Sequence, residues 1–135
     1  MHADFWRYLH DGGIDTISGT IPGTITLDIS IQYLRNQFPG QGEGFHVSLF
    51  NCWRVEYQEY DQEPTTDFDA IVAAEPEILG LQEGSGPVVV NCVMGVLKLS
   101  YESASISLDS GEAISFEELA TASAEYWDAW SRRNK

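Results

Sequence analysis

The chain has 135 residues and a formal net charge of −14, from 21 acidic and 7 basic side chains. Proteins bind nucleic acids mainly through Lys and Arg, and an anionic membrane also attracts cations, so this charge balance argues against both partners. No apolar run approaches the roughly 20 residues that a membrane-spanning helix needs. The length fits one domain, residues 1–135.

The cellular compartment is suggested by the first residues and by the cysteines. The first ten residues are aromatic and charged rather than continuously apolar, unlike a secretory leader. We therefore expect a cytoplasmic protein. Cys52 and Cys92 lie in apolar stretches, and two thiols in a cytosolic chain usually stay reduced, so both are predicted to be buried and unpaired.

The first third of the chain predicts a short helix and a hairpin. Three apolar residues have helical spacing near the start: Phe5, Trp6 and Leu9. They predict one or two helical turns that cover the core. Residues 14–21 then form a strand that ends at the turn of Pro22 and Gly23, and strict alternation over residues 25–33 predicts a second strand with one apolar face. Residues 35–44, with three glycines and a proline, predict a loop.

Alternation resumes over residues 45–57 but is interrupted at Asn51 and Cys52. Two structures fit this pattern, one long strand with a β-bulge or two shorter strands. Because a bulge would change the direction of the following side chains, the pattern leaves open which side Trp53 faces.

The middle of the chain predicts one short helix followed by strands. Thr66 and Asp67 can begin a helix that continues to residue 74, with an acidic first turn that suits the helix dipole. Pro76 prevents a longer helix. Strands are expected at residues 78–81, 88–94, 97–101 and 106–108, the second of these being rich in valine.

The last segment predicts a helix of four to five turns. Ser115 and Glu118 have the spacing of a capping box, and Arg132 with Arg133 complements the dipole at the other end. An aromatic stripe runs along one side: Phe116, Leu119, Ala120, Ser123, Tyr126, Trp127 and Trp130. We expect this stripe to pack against the sheet. The predicted fold is α+β, a curved antiparallel sheet of six to eight strands packed on the long C-terminal helix.

The catalytic and cofactor motifs that we sought do not occur. GxSxG, GxxxxGKS, GxGxxG, CxxC and HExxH are absent from the sequence. We therefore predict no catalytic residue, no metal and no cofactor, and expect the protein not to be an enzyme. A weaker hypothesis is a hydrolase that uses His10 or His46. His10 beside Asp11 is the best acid–base pair in sequence, although these two residues can equally shape the turn at Gly12 and Gly13.

The acidic charge is concentrated in residues 55–97, which contain nine carboxylates and no Lys or Arg. Like charges on one surface repel each other, so they favour solubility or a cationic partner. Six of them form the predicted partner-binding patch: Glu56, Glu59, Asp61, Glu63, Asp67 and Asp69. The leading hypothesis is a non-catalytic binding protein that neutralises a basic protein partner.

The alternative hypothesis is a small-molecule binding or carrier protein. It places a pocket between the curved sheet and the C-terminal helix, lined by aromatic side chains: Trp53, Tyr57, Tyr101, Trp127 and Trp130. A filled core would favour the first hypothesis, and an apolar cavity of some hundreds of Å³ would favour this one.

The segments LHDGGIDTISG, TITLDISI, FHVSLFNCWRVEY and SGEAISFEEL resemble, in their order, small bacterial immunity proteins of polymorphic toxin systems. In several of those families a turn of the HDG type precedes the first of several antiparallel strands, and a final segment opens a helix. The resemblance implies an acidic inhibitor that covers the basic active-site cleft of a toxin, often a nuclease. It transfers no site residue to this chain, since those families have no common catalytic motif.

Overall fold

A computed structural model of the chain describes residues 3–134. Three residues lie outside the described part: Met1, His2 and Lys135. The first two belong to the ten residues that we judged unlike a secretory leader. The described residues form nine strands in two antiparallel sheets, three α-helices and one 3₁₀ helix. The predicted α+β class with a C-terminal helix is confirmed. None of the described helices is long and apolar enough to cross a membrane.

The first sheet has five strands in the order β1-β2-β3-β8-β9. Its strands are β1 (Gly13–Gly19), β2 (Gly23–Ser30), β3 (Gly44–Cys52), β8 (Ser103–Leu108) and β9 (Ala113–Ile114). The alternation predicted for β2 is confirmed, since Ile25, Leu27 and Ile29 are all buried. This alternation sets the register, because a slip of one residue would expose every apolar side chain of the strand.

The second sheet has four strands in the order β4-β7-β6-β5. Its strands are β4 (Arg54–Glu59), β5 (Ile78–Gln82), β6 (Val88–Cys92) and β7 (Gly95–Ser100). Val55, Val90, Leu97 and Leu99 point from this sheet into the core that it shares with the first sheet. Cys52 and Cys92 are buried free thiols, as predicted. Burial raises the pKa of the Cys92 thiol to about 12.

The chain passes from the first sheet to the second at Asn51 and Cys52, where the alternation is interrupted. Asn51 has a positive φ of 51°, and the chain leaves β3 and enters β4 after one intervening residue, Trp53. A matching corner lies between β7 and β8, where the N–H of Glu102 donates to the carbonyl of Phe50 at 2.9 Å. Of the two structures that the sequence left open, the chain adopts two strands in different sheets.

The predicted strand over residues 25–33 is wrong at its end. β2 stops at Ser30, and the next residues form the short helix α1 (Gln32–Arg35). Ser30 pairs with Gly44, the first residue of β3, and the N–H of Ile31 then donates to the carbonyl of Glu43 at 2.8 Å before the chain enters α1. The side chain of Tyr33 instead lies in the helical layer, where its hydroxyl donates to the carbonyl of His10 at 2.8 Å.

Two further α-helices and the 3₁₀ helix complete the fold. The predicted short helix is α2 (Phe68–Ala73), and it begins at Asp67, whose side chain accepts the N–H of Asp69. The C-terminal helix is α3 (Phe116–Arg133), which has the predicted capping box between Ser115 and Glu118. The N-terminal 3₁₀ helix (Asp4–Leu9) lies between α3 and the sheets.

The expectation that the whole aromatic stripe of α3 is buried is wrong for its second half. Phe116 stacks on Phe5 at 4.8 Å and Leu119 is buried. Trp127 and Trp130, in contrast, are 38% and 45% exposed. The helix packs mainly on the 3₁₀ helix and on α1, where Tyr33 contacts Tyr126 and Trp127 with ring centroids 4.4 and 5.6 Å apart. These short elements leave part of the second half of α3 exposed.

Candidate binding surface

Trp53, the single residue between β3 and β4, lies on the surface. Trp53 is held at the corner by its N–H, which donates to the carbonyl of Ser100 at 2.9 Å. The side chain amide of Asn51 also crosses this corner and donates to Glu102 at 2.7 Å. The indole of Trp53 remains 60% exposed. A large aromatic side chain exposed on a fixed backbone is typical of a binding surface.

A cleft of about 650 Å³ lies beside Trp53, between the end of β1, the start of β4 and the start of α2. Its lining includes the buried residues Ile17 and Val55 and the less buried residues Ile21 and Phe68. The cleft therefore has an apolar part beside the aromatic side chain of Trp53, and polar residues complete its lining.

Two carboxylates, Asp67 and Asp69, also line this cleft. Asp67 is positioned by the helix that it caps and by its own N–H, which donates to Thr65 Oγ1 at 3.1 Å. Arg54 lines the same cleft, but its guanidinium pairs with Glu56 at 3.3 Å. Within residues 3–134, no Lys, Arg or His nitrogen lies within 4.0 Å of either aspartate. The cleft thus has negative charge that lacks a counter-ion in this part of the chain.

The acidic surface continues from the cleft along β4. Thr65 and Tyr57 exchange two backbone hydrogen bonds, of 2.8 and 2.9 Å, which hold the segment before α2 against the free edge of β4. Beyond this bridge, Glu59 and Glu63 line a smaller cavity of about 210 Å³ together with Ala70. Since Ala70 follows Asp69 in α2, the two acidic pairs lie on neighbouring parts of one surface.

The far end of this surface is apolar. Tyr60, Val93 and Met94 are 64%, 42% and 61% exposed, and the N–H of Tyr60 donates to the carbonyl of Met94 at 3.3 Å. Asp61 follows in a turn with a positive φ of 61°. We call the surface from Trp53 to Met94 the acidic band; its carboxylates are Glu59, Asp61, Glu63, Asp67 and Asp69. Apolar side chains surrounded by polar ones are typical of protein interfaces.

One residue of the predicted patch has a different environment. Glu56 is half-buried, pairs with Arg54 and lies opposite Lys98 in the β4–β7 ladder. Its charge is therefore partly compensated, unlike the charges of the acidic band.

The five aromatic residues of the predicted pocket lie in different environments. Tyr57 and Tyr101 are core residues, 2% and 4% exposed, and burial raises the pKa of each hydroxyl to about 12. Trp53 and Tyr101 line a shared cavity of about 610 Å³ on the second sheet. Trp127 and Trp130 contact each other on α3, with ring centroids 5.9 Å apart. The structure thus places four of these residues in two separate pairs, and Tyr57 lies apart from both.

The two described histidines contact main-chain or acidic oxygens. His46 Nδ1 contacts Asp28, and its Nε2 lies 3.2 Å from the carbonyl oxygen of Asp109. His10 Nδ1 lies 2.6 Å from the carbonyl oxygen of Leu79, and its Nε2 lies 3.4 Å from Asp11. In the described part of the chain, no three His, Cys, Asp or Glu side chains converge as a metal site would require.

The sequence patterns did not predict four residues of the cleft and the acidic band: Ile21, Phe68, Tyr60 and Met94. Ile21 and Phe68 have ordinary apolar patterns, and only the meeting of β1, β4 and α2 brings them to the cleft. Tyr60 offered a usable signal, because it lies between Glu59 and Asp61 in a segment without cations.

Comparisons with protein-family models, curated proteins and solved structures found no match to this chain.

Proposed function

We propose that this protein is a non-catalytic binding protein that recognises and neutralises a basic protein partner through the acidic band. The partner would cover the surface from Trp53 to Met94 with a cationic face. The resemblance to immunity proteins implies the same type of function, because those proteins inhibit toxins, often nucleases, by covering a basic active-site cleft.

One observation carries the proposal. The carboxylates of the acidic band make no ion pair with any residue in 3–134, and residues 55–97, to which they belong, contain no Lys or Arg. They lie between two exposed apolar groups, Trp53 at one end and Tyr60 with Met94 at the other. The exposed aromatic and Met side chains belong to the residue types that are enriched at interfaces, and the carboxylates beside them would attract a basic partner electrostatically.

The charge of the chain would also determine how fast such a complex forms. An acidic surface that meets a basic one accelerates association by electrostatic steering, and screening by salt reduces this effect. We therefore expect a complex that forms rapidly at low salt and weakens as salt is added.

The experiment is native mass spectrometry of the protein purified from its own host, before and after a high-salt wash. The wild type is compared with E59Q/D61N/E63Q and with the control E112Q/E117Q/E125Q. Both variants remove three carboxylates and so have the same net charge. Asn suits the positive φ of Asp61, so the first variant should retain its turn.

We expect a basic protein to accompany the wild type and the control at low salt, and to be lost from E59Q/D61N/E63Q. Equal loss from both variants would mean that only net charge matters and would contradict the acidic band. A small molecule that survives the wash and leaves only on denaturation would instead favour the carrier hypothesis, for which the cavities of about 650 and 610 Å³ offer space.

A further inference from the structure

The cleft beside Trp53 has a shape and charge that suit one kind of side chain. It combines an exposed indole, an apolar lining that includes Ile17 and Phe68, and the carboxylates of Asp67 and Asp69. A cation alone would be satisfied by the open acidic surface near Glu63, without an apolar cleft. A group that is at once cationic and apolar on its faces would use every part of this site.

We propose that an arginine side chain of the partner occupies this cleft, with its guanidinium stacked on Trp53 and paired with Asp67 and Asp69. This inference rests on the proposed function and names the residue that anchors the partner. A guanidinium is planar, is weakly hydrated and stacks on aromatic rings while its edges donate hydrogen bonds to carboxylates. A lysine ammonium is strongly hydrated and compact, so it gains less from the apolar lining.

The two aspartates of the cleft can pair with a cation from the partner, because neither has a counter-ion in residues 3–134. Arg54, the cation in the cleft lining, is already engaged by Glu56 at 3.3 Å, so it does not compensate the two aspartates. The stem of the incoming arginine would lie along the apolar residues, as long basic side chains commonly do. The cleft, of about 650 Å³, is large enough for one such side chain together with part of the backbone that carries it.

The test is an NMR titration of the ¹⁵N-labelled full chain with N-acetyl-arginine methylamide. The indole N–H signal of Trp53 is assigned by its loss in Trp53→Phe. We expect a saturable shift of this signal and of the backbone signals of Asp67 and Asp69. N-acetyl-lysine methylamide should bind several-fold more weakly, and N-acetyl-leucine methylamide should produce no saturable shift.

The variant D67N/D69N should bind the arginine probe about tenfold more weakly, because it lacks both charge-assisted contacts. Asn caps a helix about as well as Asp, so α2 should remain folded in this variant. The control E112Q/E117Q has the same net charge and should bind the probe like the wild type. Backbone signals outside the cleft report whether each variant is folded.

Three results would overturn the inference: no saturable shift with the arginine probe, equal binding of the lysine or leucine probe, or unchanged binding by D67N/D69N. If one of them occurs while E59Q/D61N/E63Q still loses its protein partner, the proposed function stands and only the arginine anchor fails. If that variant retains its partner as well, the proposed function fails independently.

Discussion

The guanidinium of Arg35 and the carboxylate of Asp109 form an ion pair between the end of α1 and the turn between β8 and β9, with 2.8 Å between Nε and Oδ1. Arg35 is 1% exposed, although it lies at the start of a segment rich in glycine. Its other nitrogens donate to the carbonyls of Pro39 and Gln41 at 3.2 Å each. The ion pair therefore holds a loop that lacks regular structure.

The other oxygen of Asp109 accepts the N–H groups of Glu43 and Gly44, at 2.6 and 3.1 Å. Burial alone would raise the pKa of this carboxyl, but the hydrogen bonds and charge of Arg35, with these two N–H groups, lower it from 3.8 to about 2. A lowered pKa in the folded state means that folding favours the carboxylate. Its contribution to stability is complete above the unfolded pKa and disappears as the pH falls through the folded pKa.

We therefore expect Asp109→Asn to reduce the free energy of unfolding at neutral pH by about 2 kcal/mol. The difference from the wild type should shrink as the pH falls from 3.8 to about 2. Urea unfolding at a series of pH values measures it. Glu112→Gln, at an exposed position in the same turn, is the control and should resemble the wild type throughout. A difference that stays constant with pH would show that charge on Asp109 is not the cause.

Close backbone approach explains why residue 44 is glycine. A Cβ atom at Gly44 would lie 1.9 Å from the carbonyl oxygen of Ile29, in the neighbouring strand. We expect Gly44→Ala to separate β2 from β3 locally and to cost about 3 kcal/mol of folding free energy.

Gly80→Ala is the matched control for this glycine, since nothing lies within 4 Å of the corresponding Cβ in β5. It should be neutral or slightly stabilising, because alanine restricts the unfolded chain. Thermal unfolding should give a lower melting temperature for Gly44→Ala than for Gly80→Ala. Similar melting temperatures would refute the steric argument.

The capping box of α3 gives a third prediction. Ser115 Oγ accepts the N–H of Glu118, and the Glu118 carboxylate accepts the N–H of Ser115, both at 3.0 Å. Ser115→Ala removes the acceptor of the Glu118 N–H and should cost about 1 kcal/mol. Ser131→Ala, at an exposed position near the other end of the same helix, should instead stabilise the helix slightly. Urea unfolding compares the two, and equal effects would argue against the cap.

Local rules predicted much of the fold. The alternation of Ile25, Leu27 and Ile29 defined a strand and its buried face, because successive side chains of a strand point to opposite sides. The cap at Ser115 defined the start of α3, because its hydrogen bonds join residues only three apart. The same rules failed at residues 31–33, where the chain leaves β2 and enters α1.

Composition and near neighbours in the chain were enough to predict the acidity of residues 55–97, the buried faces of the strands and the ends of the last helix. Three features required contacts between distant elements: the change of sheet after Asn51, the meeting of Trp53 with Asp67 and Asp69 at one cleft, and the burial of Arg35 against Asp109. These features depend on contacts between distant residues, which no local periodicity records.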